Sequence, residues 1–258
     1  MSERRVLFIV EGKRGEPRLL KRMHNVLFGT HPGNICYHGT VIHDLISRLF
    51  VDGFLDETLD VVSVLRESVD DPERRMILEQ EYSDVYLVFD MDPHDPRYDS
   101  NMLKTAIRFF SDSTDNGKLY LNYPMLESYR HLKMHYDPGY LDRVVKTDSL
   151  GGYKHIVETE SHPDFKQLGD YTEETFREII VMNLQKANWM MGNGGRIPEI
   201  DEFLSWEGSE ILDVQNRLMD DKDLIYVLNT SVFYPVEFNP SMFLNVHTGC
   251  LHHSGYRW

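Results

Sequence analysis

Two apolar runs, Arg5 to Val10 (RVLFIV) and Asp84 to Phe89 (DVYLVF), constrain this chain more than any other feature. Neither alternates polar with apolar residues, so each reads as a strand covered on both faces, the habit of strands in parallel sheets. A polar, glycine-containing turn (EGKRGE) follows the first run, and Pro17 suits the first turn of a helix. Leu19, Leu20, Met23, Val26 and Leu27 then recur at helical spacing, with Arg18, Lys21, Arg22 and Asn25 mainly on the other side. Gly29 and the HPG turn stop that helix. NICYHG (34–39) reads as a second short strand, and Ile42, Leu45, Ile46, Leu49 and Phe50 mark a second amphipathic helix.

Residues 56–66 (DETLDVVSVLR) read as a strand and 71–81 as a polar helix. Beyond DVYLVF, Ser100 offers an N-cap to a helix through Leu103, Ala106, Ile107 and Phe110. Gly117 precedes KLYLNYP, a further strand, and LESYRHLKM resumes helical spacing. Strands and helices alternating at this rhythm predict βαβ units, hence an α/β fold with a mostly parallel sheet flanked by helices over residues 1–130. Residues 131–258 read as a mainly helical subdomain or an elaboration of the first. Their best helix is 172–191, with Thr172 as cap and Glu173 and Glu174 in its first turn. GNGG ends that helix, and another begins near Ile200.

No stretch approaches the roughly 18 to 20 apolar residues that a membrane span needs. The N-terminal apolar run is short and lacks a small-residue cleavage site, so it reads as a buried strand rather than a signal peptide. Cys36 and Cys250 stand far apart, outside any CxxC spacing, and suggest neither a disulfide framework nor a zinc site. The expected compartment is a reducing cytoplasm. The net charge of −15 argues against a protein that merely coats DNA. Residues 1–25 nevertheless hold seven basic against three acidic residues, a local +4, which leaves −19 on the remainder. Lys13, Arg14 and Arg18 form either a solvated helix face or a basic rim.

Beside that rim stand the acids. In parallel sheets ligands gather at the carboxyl ends of strands. Glu11 directly follows the first strand, and Asp90 and Asp92 end DVYLVFDMD. Alternation turns Asp90 and Asp92 to one side and Met91 to the other. Three carboxylates converging there repel one another unless a cation sits among them, and Mg²⁺ is the natural occupant. The competing reading is an acidic loop satisfied by its own backbone.

Val10-Glu11-Gly12 followed by Phe89-Asp90-Met91-Asp92 resembles the signature of the Toprim family, which includes topoisomerases, primases, OLD-type nucleases and small defence-associated nucleases. The RloB-type proteins encoded beside restriction and abortive-infection loci are the most similar in pattern. Their EGxxTEP stretch is matched by Glu11-Gly12-Lys13-Arg14-Gly15-Glu16-Pro17 except at Gly15, where threonine is usual. Their asparagine-proline segment leading to a glutamate resembles Asn122-Tyr123-Pro124-Met125-Leu126-Glu127, with a tyrosine inserted. The resemblance spans about residues 4–133.

It implies a Toprim-like, Rossmann-like fold and a Mg²⁺- or Mn²⁺-dependent nuclease acting on DNA or RNA in bacterial anti-phage defence. Glu11, Asp90 and Asp92 would be catalytic and metal-ligating, with Glu16 and Glu127 as accessory metal acids. Both accessory acids also read as helix-start carboxylates favoured by the helix dipole. Lys13, Arg14 and Arg18 would contact nucleic acid. Since OLD-type relatives carry an ATPase and this chain has no Walker motif, the resemblance suggests an ATPase partner. The rivals are a non-catalytic binding or sensor module, and topoisomerase- or primase-like chemistry.

Weaker candidates remain. His94 and Asp95 follow the DxD and are within reach of it. His131 and His135 have the spacing of a helical metal pair but no evident third ligand, so they read as surface histidines. Lys118, Arg130, Lys133 and Lys154 offer positive charge near the KLYLNYP strand, with solvated side chains as the default.

Overall fold

The two apolar runs do become neighbouring strands. In the computed structural model, which describes residues 5–244, β1 (Val6–Val10) is buried along its whole length and β5 (Asp84–Asp90) along most of it. Cys250 lies outside the described residues, as do Glu3 and Arg4 of the basic N-terminal segment. β1 pairs in parallel with β5, Val10 opposite Val88, and on its other side with β2 (Asn34–Tyr37), Val10 opposite Tyr37. β5 pairs in parallel with β7 (Gly117–Tyr123), Asp90 opposite Asn122. The antiparallel β10 (Leu228–Asn229) closes the other edge, giving the order β10-β7-β5-β1-β2. Two short antiparallel pairs, the hairpin of β3 (Phe50–Val51) with β4 (Phe54–Leu55) and the long-range pair of β8 (Val144–Lys146) with β9 (Leu224–Tyr226), lie outside this sheet, and β6 (Ser111–Asp112) adds to β7.

The helices α1 (Gly15–Phe28), α2 (Ile42–Leu49), α3 (Val61–Ser68), α4 (Pro72–Leu78) and α5 (Ser100–Phe109) occupy the first half. The second half carries α6 (Tyr153–Glu160), α7 (Glu173–Met190), α8 (Ile200–Leu204), α9 (Gly208–Lys222) and α10 (Tyr234–Phe238). The fold is therefore mixed α/β, with a mostly parallel sheet flanked by helices. α1 packs on α7 and α5 on α9, and one apolar cluster runs from β1 to α10. Residues after 131 thus supply both an edge strand and much of the packing around the sheet.

Three local expectations change. Residues 56–66 hold the start of α3 instead of a strand. Asp60 accepts hydrogen bonds from the backbone N–H of Val62 and Ser63, and such a cap is worth about 1 kcal/mol. Val61 and Leu65, one turn apart, are both buried. Together these outweigh the few tenths of a kcal/mol that each β-branched residue costs a helix. LESYRHLKM makes only the 3₁₀ turn Leu126–Arg130, because Ser128 is held from outside, its hydroxyl donating to the Leu228 carbonyl. Asp99, not Ser100, caps α5. Thr172 caps α7 as its sequence predicts.

Candidate metal centre

The strand order itself locates the site. The chain leaves β1 toward β2 on one side, while β5 lies on the other, so the crevice beyond the carboxyl ends of β1 and β5 is the topological switch point where ligands bind in open α/β sheets. Glu11 caps β1 and Asp90 ends β5. Glu11 N–H continues the ladder to the Val88 carbonyl, and Glu11 Oε2 accepts the Asp90 N–H at 3.1 Å. The two acids are therefore clamped side by side by main chain.

Asp92 arrives differently from the simple alternation argument. β5 stops at Asp90, Met91 is fully buried, and Asp92 takes a left-handed backbone with φ 42°. His43 of α2 holds that turn. Its Nε2 lies 2.9 Å from the Met91 carbonyl and 3.2 Å from the Asp92 carbonyl, and since carbonyls only accept, this nitrogen carries the proton. Nothing in the chain's pattern singles out His43 beyond its place on an amphipathic helix.

Glu16 is buried at the start of α1. Its carboxylate takes the N–H of Gly12 and its own N–H. A side chain at position 12 would meet Glu16 Oε2 at 2.9 Å, so glycine lets this acid fold back into the crevice. The capping and metal readings of Glu16 thus coincide in one place. Gly15, the departure from the RloB-type pattern, faces Leu126, whose Cδ2 would lie 2.8 Å from an added Cβ. That contact brings the 3₁₀ turn bearing Glu127 against the start of α1.

The electrostatics agree with a crowded anionic crevice. Burial, with the neighbouring Asp92 and Glu16 charges, pushes Glu11 from the ordinary 4.5 up to about 7. Burial and the Glu11 charge push Asp90 well above the carboxylate range. Asp92 and Glu16 are raised too, chiefly by burial. Lys154 of α6 is a cation that acts on all four of these acids, and its Nζ lies 3.3 Å from Glu127 Oε1. Lys118, Arg130 and Lys133 pair elsewhere, with Glu237, Glu158 and Glu160.

Among the described residues, no set of three of these carboxylates closes with all ligand oxygens within 4.8 Å of one another. The donor set suits Mg²⁺ nonetheless. Glu127 Oε2 and Asn122 Oδ1 are buried acceptors without a hydrogen-bond partner, and Asn122 Nδ2 donates to Asp90 Oδ1 at 3.3 Å. An oxygen-only crevice with orphaned acceptors fits an ion held by one or two carboxylates and several waters.

Among known proteins, no family model, curated protein or solved structure matches this chain.

Lys13, Arg14 and Arg18 are exposed at the mouth of α1, with no carboxylate partner among the described residues. Lys13 sits over the Tyr37 ring, 5.4 Å from its centroid. Arg18 continues into a groove shared with Lys21, Arg22 and His31. Asp95 is engaged by Arg97 and His94 by the Thr147 carbonyl, so both brace the loop beside Asp92. His131 is not a surface residue: it is buried against the Tyr153 hydroxyl and Glu160, and 131–135 is not helical. His135 points instead to Glu178 and Asp164.

Proposed function

We propose that this chain is a metal-dependent nuclease of Toprim type that cleaves phosphodiester bonds in DNA or RNA. The observation that carries the reading is the gathering of Glu11, Asp90, Asp92 and Glu16 at the switch point between β1 and β5, with proton affinities raised by burial and mutual repulsion. Perturbed acids in a crevice are what catalytic or metal-binding centres require.

Asp90 and Asp92 would hold Mg²⁺ or Mn²⁺, with Glu16, Glu127 and Asn122 bonding its waters. The ion would supply Lewis-acid polarisation of the scissile phosphate and acidify bound water. Glu11, poised near neutrality, suits proton abstraction from the attacking water at Oε1, while Oε2 stays fixed by the Asp90 amide. Lys13, Arg14 and Arg18 would steer the polyanion to the crevice mouth, and Lys154 would face the phosphate across the acids. The start of α1 adds backbone N–H groups suited to phosphate oxygens.

Topoisomerase-like chemistry is less well supported. Tyr86, Tyr120, Tyr123, Tyr140, Tyr153 and Tyr171 are buried, and burial pushes the phenols of Tyr120, Tyr123, Tyr140, Tyr153 and Tyr171 up, away from nucleophilic ionisation. A partner protein, an ATPase in the resemblance, fits the −19 carried outside the N-terminal segment, since that field repels a second polyanion. Anti-phage defence rests on the RloB-type resemblance alone. No helix among the described residues is long and apolar enough to cross a membrane. The test is incubation of purified protein with supercoiled plasmid and with tRNA: cleavage is expected with Mg²⁺ or Mn²⁺, and none with EDTA or in Asp90→Asn. Cleavage that persists in Asp90→Asn would remove the crevice from the reaction.

A further inference from the structure

A second cluster of ligand-type side chains lies outside the acidic crevice. His135 follows the 3₁₀ turn Leu126–Arg130, while His162 caps the short turn Pro163–Phe165 and Asp164 lies within it. Their ligand atoms all lie within 4.8 Å of one another. His135 Nε2 is 2.8 Å from Asp164 Oδ2, His162 Nδ1 is 3.8 Å from the same oxygen, and the two imidazole centroids are 5.0 Å apart.

The other side of His135 is a more specific observation. Its Nδ1 bonds Glu178 Oε2 at 2.8 Å, and Glu178, on α7, is almost fully buried. The second oxygen of Glu178 accepts the Tyr136 N–H. Both ring nitrogens of His135 face carboxylates, so without an ion each carries a proton; a metal ion takes the place of the Nε2 proton between His135, Asp164 and His162 while Nδ1–H stays on Glu178. A carboxylate behind a histidine is the arrangement that orients imidazole toward a metal and raises its basicity. The Phe165 ring, itself buried, lies 5.2 Å from the His135 ring and limits its rotation.

We propose that His135, His162 and Asp164 form a binding site for Zn²⁺ or a similar borderline divalent ion, with Glu178 as the carboxylate that positions His135. Two imidazoles and one carboxylate favour such ions over Mg²⁺. Bonds of about 2.0–2.1 Å at tetrahedral angles place ligand atoms roughly 3.3 Å apart, so only sub-ångström to ångström shifts are needed. His135 and Asp164 separate slightly, and the ion replaces their direct hydrogen bond. Three protein ligands leave one position for water, and the side chains are 36–59% exposed, so the ion exchanges with solvent. Bound there, it fastens the 131–137 loop to the Pro163–Phe165 turn and, through Glu178, to α7. This site is independent of the nuclease reading.

The test is a Zn²⁺ titration of the full-length protein by calorimetry against a competing chelator. Because His247, Cys250, His252 and His253 carry ligand-type side chains in the C-terminal sequence, all proteins in the comparison also carry His247→Ala, Cys250→Ser, His252→Ala and His253→Ala. One Zn²⁺ per chain is expected, with affinity falling about tenfold or more in both His162→Ala and Asp164→Asn. It should be unchanged by Asp90→Asn and by millimolar Mg²⁺. His162→Ala removes a half-buried side chain and its 3.4 Å cap on the Asp164 N–H but leaves Glu178 paired with His135, so thermal melts should show it folded. Absence of Zn²⁺ binding, or affinity in the His162→Ala and Asp164→Asn proteins equal to that of the parent, would overturn the proposal and leave the cluster a protonated-histidine ion pair.

Discussion

Replacing Glu11 by glutamine should make the metal-free protein more stable at alkaline pH. Glu11 holds its proton up to about pH 7 when folded, against an ordinary 4.5. A group whose affinity for protons rises on folding loses stability as pH climbs through that window, and the whole loss is present above it. The displacement corresponds to roughly 3 kcal/mol at pH 8. Glutamine carries no charge and escapes this cost, but it accepts the Asp90 N–H as a neutral partner, giving back about 1 kcal/mol. The net gain is about 2 kcal/mol, or a rise of about 4–8 °C for a chain of this size. Thermal melts in EDTA at pH 8 and pH 4.5 read it directly. The variant should melt higher at pH 8, and the advantage should vanish by pH 4.5. Adding Mg²⁺ at pH 8 should raise the wild type more than the variant. A variant that melts several degrees lower than wild type at pH 8 would make Glu11 a structural acid and refute the reasoning.

Four further outcomes follow from the same geometry. Replacing Lys13, Arg14 and Arg18 with serine should weaken nucleic-acid binding and flatten its salt dependence, measured by a salt titration; an unchanged slope would remove the rim. His43→Ala should cost about 1–3 kcal/mol by orphaning the Met91 and Asp92 carbonyls and should reduce the Mg²⁺-induced rise in melting temperature; an undiminished rise would mean that Asp92 needs no such support. Lys154→Met should slow cleavage about tenfold or more while moving stability by under about 0.5 kcal/mol, seen by comparing rates with melts; unchanged rates would leave Lys154 a bystander. Isolated at native expression level in moderate salt, the protein should bring a partner with it that dissociates as salt rises; recovery alone with full cleavage activity would end the partner idea.

The sheet was legible because β1 and β5 are apolar on both faces, a pattern few other elements produce. The acids were legible because Glu11 and Asp90 sit at strand ends, where position alone places them. Asp92 was placed for an incomplete reason, since a left-handed turn held by His43, and not strand alternation, sets its position. His43 reaches the site through a tertiary contact that no local pattern encodes, whereas Asn122 was visible only through the family resemblance and Lys154 only as a charge near β7. The second half resisted for a similar cause. β10 is two residues long and gains its identity only by pairing with β7, and α3 depends on a cap that outweighs its β-branched composition. His131 and His135, alike in sequence, part company because residues 131–135 are not helical, so one ring turns inward and the other to Glu178.

The central claim is that the β1–β5 crevice gathers a divalent ion through its acids, and a calorimetric Mg²⁺ titration at pH 7.5 tests it most directly. Saturable binding is expected in the wild type and should weaken about tenfold or more in Asp90→Asn and in Asp92→Asn, with both variants folded by thermal melt. Equal Mg²⁺ affinity in all three proteins would contradict it.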